Sequence, residues 1–100
     1  MMKTDILYLI KQTRGTDEYG DPVISEESRE VFCEVMSIGE KEFYQAHAVG
    51  LQPEVKFLLS DYIDYGGELY VEHDGIRYKV LRTYRKGQEI EITCYREVNQ

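Results

Sequence analysis

The sequence predicts a mostly β domain: a small antiparallel β-barrel of about six strands, with one short α-helix and one long loop. Three observations carry this expectation. Apolar and polar residues alternate over most of the chain, the period of a half-buried strand. Turn signals such as Gly66-Gly67 and Asp74-Gly75 separate the alternating runs. The length of 100 residues suits one hydrophobic core, so residues 1–100 are read as a single domain. Closing the sheet into a barrel protects strand edges that would otherwise pair with other chains.

Taken in order, Asp5 to Gln12 (DILYLIKQ) is rich in Ile, Leu and Tyr and forms the first expected strand. Thr13 to Ser28 (TRGTDEYGDPVISEES) lacks apolar periodicity, holds two glycines and a proline, and predicts a long loop. Connections in compact domains usually run ~4–6 residues, so one of this size points to a function of its own. Val23 and Ile24 leave open that its two arms pair as a protruding ribbon. Arg29 to Ile38 places Val31, Cys33 and Val35 on one face; Glu30, Phe32, Glu34 and Met36 share the other. From Gly39 the alternation stops. Phe43, Ala46, His47 and Gly50 fall at helical spacing, and Glu40 and Glu42 lie in the first turn, where the helix dipole favours acids. The helix is expected at 40–49, started by Ser37 or Gly39 and stopped by Gly50.

Pro53 restarts extended structure, and Glu54 to Tyr62 puts Val55, Phe57 and Leu59 on one face. Glu68 to His73 and Ile76 to Tyr84 flank Asp74-Gly75, a two-residue hairpin connection. Leu69, Val71, Ile76, Tyr78 and Val80 supply alternating apolar positions around it. Arg85 to Gln88 turns the chain again. Glu89 to Arg96 then points Ile90, Ile92 and Cys94 inward, and Glu91, Thr93 and Tyr95 outward.

A hydrophobic content of 42% with 31% charged residues is that of a folded chain rather than a disordered one. The longest apolar run, Ile6 to Ile10, is far short of the ~20 residues that cross a bilayer, and no secretory signal is expected. Cys33 and Cys94 occupy apolar strand positions and read as buried free thiols of an intracellular protein, with a bridge between them left open. The net charge is −7, unevenly placed: residues 15–54 carry ten acids against Arg29 and Lys41, whereas residues 76–100 carry six bases against three acids. This polarity suits either a solvated surface or head-to-tail self-association. It argues against nucleic-acid binding, which needs a cationic footprint.

No constellation of catalytic residues stands out. His47 and His73 lie in no metal-ligand spacing, neither cysteine has a neighbouring base in sequence, and there is no GxSxG or Gly-rich phosphate loop. The acid pairs Glu26-Glu27 and Asp61/Asp64 read as solvated carboxylates. The expectation is therefore a non-enzyme with no cofactor and no metal. Nine tyrosines are the most unusual compositional feature. Tyr62, Tyr65, Tyr70, Tyr84 and Tyr95 fall at strand ends or outward positions, where they either cap an undersized core or bury surface against other chains.

Four segments, DEYGDPV at 17–23, REVFCEVMSIGEKEFYQA at 29–46, GELYVEHDGIRYKVLRTY at 67–84 and EIEITCYRE at 89–97, together resemble a known family. It is the head–tail joining (head-completion, stopper or adaptor) family of long-tailed bacteriophages and prophages. Order and spacing over nearly the whole chain carry the resemblance, not any one motif. Phe32 stands where members often have Trp, and Ser60-Asp61 where they often have a basic residue. The resemblance implies a β-barrel with a side helix, often monomeric alone. In the virion neck it would form a ring, of about twelve subunits, between the portal and adaptor proteins and the tail, after assembly in the bacterial cytoplasm. Packaged DNA would pass through without sequence-specific binding, and no membrane is involved.

The resemblance also implies that the long loop is a channel gate, with Asp17, Glu18, Tyr19, Asp21, Glu26 and Glu27 as its candidates. Acids lining such a conduit repel phosphate and let DNA slide. For contacts between subunits, Glu40 and Glu42 with the acidic loop are expected to meet Arg77, Lys79, Arg82, Arg85 and Lys86 of a neighbour. The alternatives are a tail terminator or minor tail component, or a small barrel that binds nucleic acid or a ligand.

Overall fold

The computed structural model describes residues 5–39 and 53–96. The expected helix at 40–49, with Glu40, Glu42 and His47, lies outside the described residues. Six antiparallel strands build one sheet: β1 (Asp5–Thr16), β2 (Pro22–Met36), β3 (Val55–Leu59), β4 (Tyr70–His73), β5 (Ile76–Lys86) and β6 (Glu89–Tyr95). Their spatial order is β1-β2-β3-β6-β5-β4, and β4 pairs back onto β1, so the pairings return to their start. The sheet is ring-like. Strands take 68% of the described residues, and one 3-10 turn, Tyr62–Asp64, is the helical remainder among them.

Alternation places the core inside this closed sheet. Leu7 and Leu9 of β1, Cys33 of β2, Phe57 and Leu59 of β3, Val71 of β4, and Ile92 and Cys94 of β6 are fully buried. Tyr78 of β5 closes the set, its ring edge-on to Phe57 at 5.9 Å between centroids. Tyr62, Tyr65, Val55 and Val80 pack around this cluster, so two of the strand-end tyrosines do cap a small core. The β4–β5 hairpin turns on Asp74 and Gly75, both at positive φ, as the Asp-Gly signal requires.

Four details depart from the expectations. The segment 13–28 is not a loop: β1 and β2 pair without a break from Asp5↔Cys33 to Thr16↔Pro22, and only Asp17 to Asp21 turns. A ribbon needs alternating backbone hydrogen bonds rather than an apolar face, so hydrophobic periodicity gives no sign of it. Val35 is 39% exposed although it pairs with the buried Phe57; it is the next-to-last residue of β2, at the end of the closed sheet. Leu69 is 61% exposed. It precedes β4, where Gly67 turns the chain at φ +85° and sends Glu68 inward in its place. Thr93, on the outward set of β6, is only 2% exposed because Lys56 and Arg82 flank it in register on the neighbouring strands.

The closed sheet does not use the whole of its long strands. β1 pairs with β4 only at Tyr8 to Ile10, and β2 pairs with β3 only at Glu34 to Met36. Beyond these points the two strands pair, among the described residues, with each other alone, and every residue from Lys11 to Glu30 is exposed. Six residues from Lys11 to Thr16 at ~3.4 Å each carry the ribbon ~20 Å past the sheet. The molecule accordingly measures 49 × 31 × 24 Å, with a radius of gyration of 15.0 Å. A compact chain of this length has about 13 Å.

Phe57 touches His73 as well as Tyr78 and is the largest fully buried side chain. Phe57→Ala is expected to cost about 3–5 kcal/mol of unfolding free energy, measured by urea denaturation, because the surrounding strands cannot collapse into the space.

Candidate functional site: the acidic ribbon and its anchors

The ribbon's tip is built by Asp17. Its Oδ1 accepts hydrogen bonds from the backbone N–H of Tyr19 and of Asp21, each at 2.9 Å. The backbone adds Gly20 N–H to Asp17 C=O at 3.0 Å and Asp17 N–H to Asp21 C=O at 2.9 Å. An aspartate that satisfies its own turn in this way fixes the loop without a core. Glu18 and Asp21 lie at the same tip, and the ring of Tyr19 is 82% exposed.

Two arginines anchor the ribbon where it leaves the sheet. Arg77 of β5 donates both guanidinium nitrogens to Glu26 of β2, at 2.6 and 3.2 Å, and Gln12 of β1 donates to the same carboxylate at 2.8 Å. This bridge crosses over β4 and β1. Ile10, buried but outside the core cluster, lines the open groove of about 370 Å³ that Arg77 and Glu26 also line. The Tyr70 ring lies under the Arg77 guanidinium at 4.6 Å and near Lys79 Nζ at 5.8 Å. The hydrogen bond from Arg77, and then that from Gln12, hold the Glu26 carboxyl at about 2, well below its ordinary 4.5.

The second anchor, Arg29 of β2, sits at the mouth of the closed sheet. It donates to Glu68 Oε2 at 2.8 Å and to the Asp64 carbonyl at 2.6 Å. The Glu68 side chain is 6% exposed. Its other oxygen accepts from Gly66 N–H at 2.7 Å, and its carbonyl accepts from the Tyr65 hydroxyl at 2.6 Å. A Cβ at Gly66 would stand 2.9 Å from Glu68 Oε1, so a larger residue there would have to displace that carboxylate oxygen. Across the mouth, Asp61 Oδ1 accepts from Ile63 N–H at 3.0 Å and from Gln88 Nε2 at 2.8 Å, and Arg85 stacks on Tyr62 at 3.4 Å. The segment 60–68 is thereby tied to both the ribbon base and the β5–β6 turn.

The expected site residues therefore divide. Asp17, Glu18, Tyr19 and Asp21 come together at the tip, and Glu27 lies further down β2, opposite Lys11. Glu26 is not at the tip: it is the anchor to Arg77. Arg77, expected to contact a neighbour, is paired with Glu26 of its own chain and remains partly exposed. Lys79 and Arg85 likewise stand against the rings of Tyr70 and Tyr62. Arg82 and Lys86 lie on β5, exposed, near its far end.

The clamp of Arg29 on Glu68 was not legible in the sequence. The sole hint was an acid directly after the Gly66-Gly67 turn. Cys33 and Cys94 are free and buried; burial pushes both thiols up to about 12, with the charge of Asp5 adding to the effect at Cys33. Such thiols are poor nucleophiles. His73 lies 3.4 Å from Asp5 and packs on Phe57. Among the described residues no three His, Cys, Asp or Glu gather to hold a metal ion. Compared with known proteins, the chain matches no family model and no curated sequence.

Two predictions follow from the anchors. Glu26 ionises more readily in the folded chain than in the unfolded one, so its contribution is complete above pH 4.5 and disappears as pH falls toward about 2. The stability difference between wild type and Glu26→Gln, followed by urea denaturation, is expected to be flat from pH 7 to 4.5 and to shrink below it. Arg29→Ala strands the buried Glu68 carboxylate and is expected to cost about 1–3 kcal/mol. The loss should be smaller when Glu68→Gln is already present, which a double-mutant cycle measures.

Proposed function

We propose that the protein is a structural connector of a phage neck, joining the DNA-filled head to the tail and narrowing the DNA channel, without catalysis. In this reading the chain is a small barrel that works as one copy in a ring between the portal or adaptor proteins and the tail. The observation that carries it is the ribbon: an acidic projection of ~20 Å leaving one end of a closed sheet. Several copies arranged around an axis would direct their ribbons into a shared lumen. There the acids along the ribbon would repel phosphate and keep DNA from adhering.

The order of segments that resembles head–tail joining proteins supports the same reading. So does the economy of the site. The strongly held carboxylates, Glu26 and Glu68, are each paired with an arginine and serve architecture. The two thiols are buried. Such an arrangement suits a part that bears load between neighbours. No helix among the described residues is long and apolar enough to cross a membrane.

Replacing Thr13–Ser25 by an Asn-Gly turn keeps the Gln12↔Glu26 pair and with it the Arg77 anchor. The shortened protein is expected to fold and melt like the wild type. Particles assembled with it should leak DNA or fail to gain tails, as counted by electron microscopy. Normal tailed particles would refute the gate.

A further inference from the structure

β1 and β5 both run antiparallel to β4, so their C-terminal halves lie at the same end of the sheet. β4 is only four residues long and stops at Tyr70. Above it, Lys11–Thr16 of β1 and Leu81–Lys86 of β5 each pair, among the described residues, with a strand on their other side only. The backbone of Leu69 still reaches β5, accepting from Val80 N–H at 2.8 Å, and then the chain leaves for the Arg29 clamp. What remains is a slot flanked by two strand edges, an arrangement that accepts an added strand.

The walls of this slot have a marked chemistry. In a chain of net charge −7, the two edge segments KQTRGT and LRTYRK hold no acid; Arg85 stands on Tyr62 and Arg82 lines the groove with Lys56 and Glu91, which leaves Lys11, Arg14 and Lys86 as the bases of the slot. At the floor is a recess of about 220 Å³ between Lys11 and Gln12 on one side and Gly66 to Tyr70 on the other, and the exposed side chain of Leu69 lines it. The slot therefore fits an acidic, extended element that also carries an exposed apolar group.

We propose that this slot receives the ribbon tip of a second copy of the chain, in a head-to-tail contact. The tip offers Glu18 and Asp21 to the bases, the exposed Tyr19 ring to Leu69, and, from Pro22 onward, an edge of β2 that pairs with no strand among the described residues until Glu34. A ribbon cannot fill its own slot. β1 is one wall of that slot and carries the tip ~20 Å away from Lys11, so the occupant is another molecule. Slot and tip belong to the same end of each copy, so successive contacts keep all ribbons on one face of the assembly. The inference deepens the neck-ring reading and rests on it for closure into a ring.

The contact is tested on the full-length purified chain by sedimentation velocity, apart from any phage. Wild type is expected to associate as concentration rises at low ionic strength and to dissociate in high salt. The tip variant Glu18→Lys/Asp21→Lys leaves the Asp17 turn intact, and the slot variant Arg14→Glu/Lys86→Glu, at two exposed positions, leaves the Arg85 stack intact. Each alone should associate about tenfold more weakly or worse. Mixed one to one they should recover association, since the reversed tip then meets a reversed slot. Tyr19→Ser, at a fully solvated position, should weaken association without altering the melting temperature. A monomeric wild type at low salt, single variants that associate like wild type, or a mixture of well-folded variants that stays monomeric would each overturn the contact. Tailless particles from a deletion, together with a monomeric wild type, would leave the neck reading standing and remove this contact.

Discussion

Unequal strand length is the constraint from which the rest of this structure follows. β3 and β4 have five and four residues, whereas β1 and β2 have twelve and fifteen. A sheet can close only over the height that its shortest members supply. The surplus of the two long strands has no third strand among the described residues to rest on, and it leaves the sheet as a ribbon. A two-stranded hairpin alone is marginal in water, so the surplus has to be secured at its base.

The two arginine anchors answer that need in different ways. Arg77 spans the outer surface and catches Glu26 at the first turn of ribbon beyond the sheet, with Gln12 adding a second donor from the paired strand. Both partners are partly solvated, so the bond acts by fixing direction more than by adding stability. Arg29 works from within. Its partner Glu68 is buried, and a buried carboxylate without its cation is costly. That cost keeps the segment 60–68 seated across the mouth of the sheet. One anchor aims the ribbon and the other plugs the end from which it emerges.

The core was readable because its signal is periodic. Phe57, Leu59, Ile90, Ile92, Cys94 and Val71 all stand on the inward set that alternation picks out, and the Asp74-Gly75 turn follows from backbone sterics alone. The ribbon was half readable. Its residues, Thr, Val, Ile and Ser among acids, carry strand propensity without a buried face, so its pairing left no hydrophobic trace, while Val23 and Ile24 admitted it as an alternative. The anchors were not readable at all. Glu26 and Arg77 are separated by 51 residues, and Arg29 and Glu68 by 39. Long-range charge pairs of that kind have no periodic signature, which is why Arg77 looked available to a neighbour when its own chain holds it.

Exposed strand edges are ordinarily a hazard, because any edge can pair with any other. Here the charges limit the choice. The β2 arm and the tip bring acids toward an approaching strand, so ribbon meeting ribbon along that side sets like charges together. Two slots facing each other would set base against base. Only tip against slot brings opposite charges together, and that pairing is heterologous. A heterologous contact leaves each pair of molecules with one empty slot and one unused tip. Such a contact, if it forms, closes into a ring or continues as a filament according to the rotation between copies. In the proposed contact, the charge pattern that keeps the edges from indiscriminate pairing would also direct each tip to a neighbour's slot rather than to another tip.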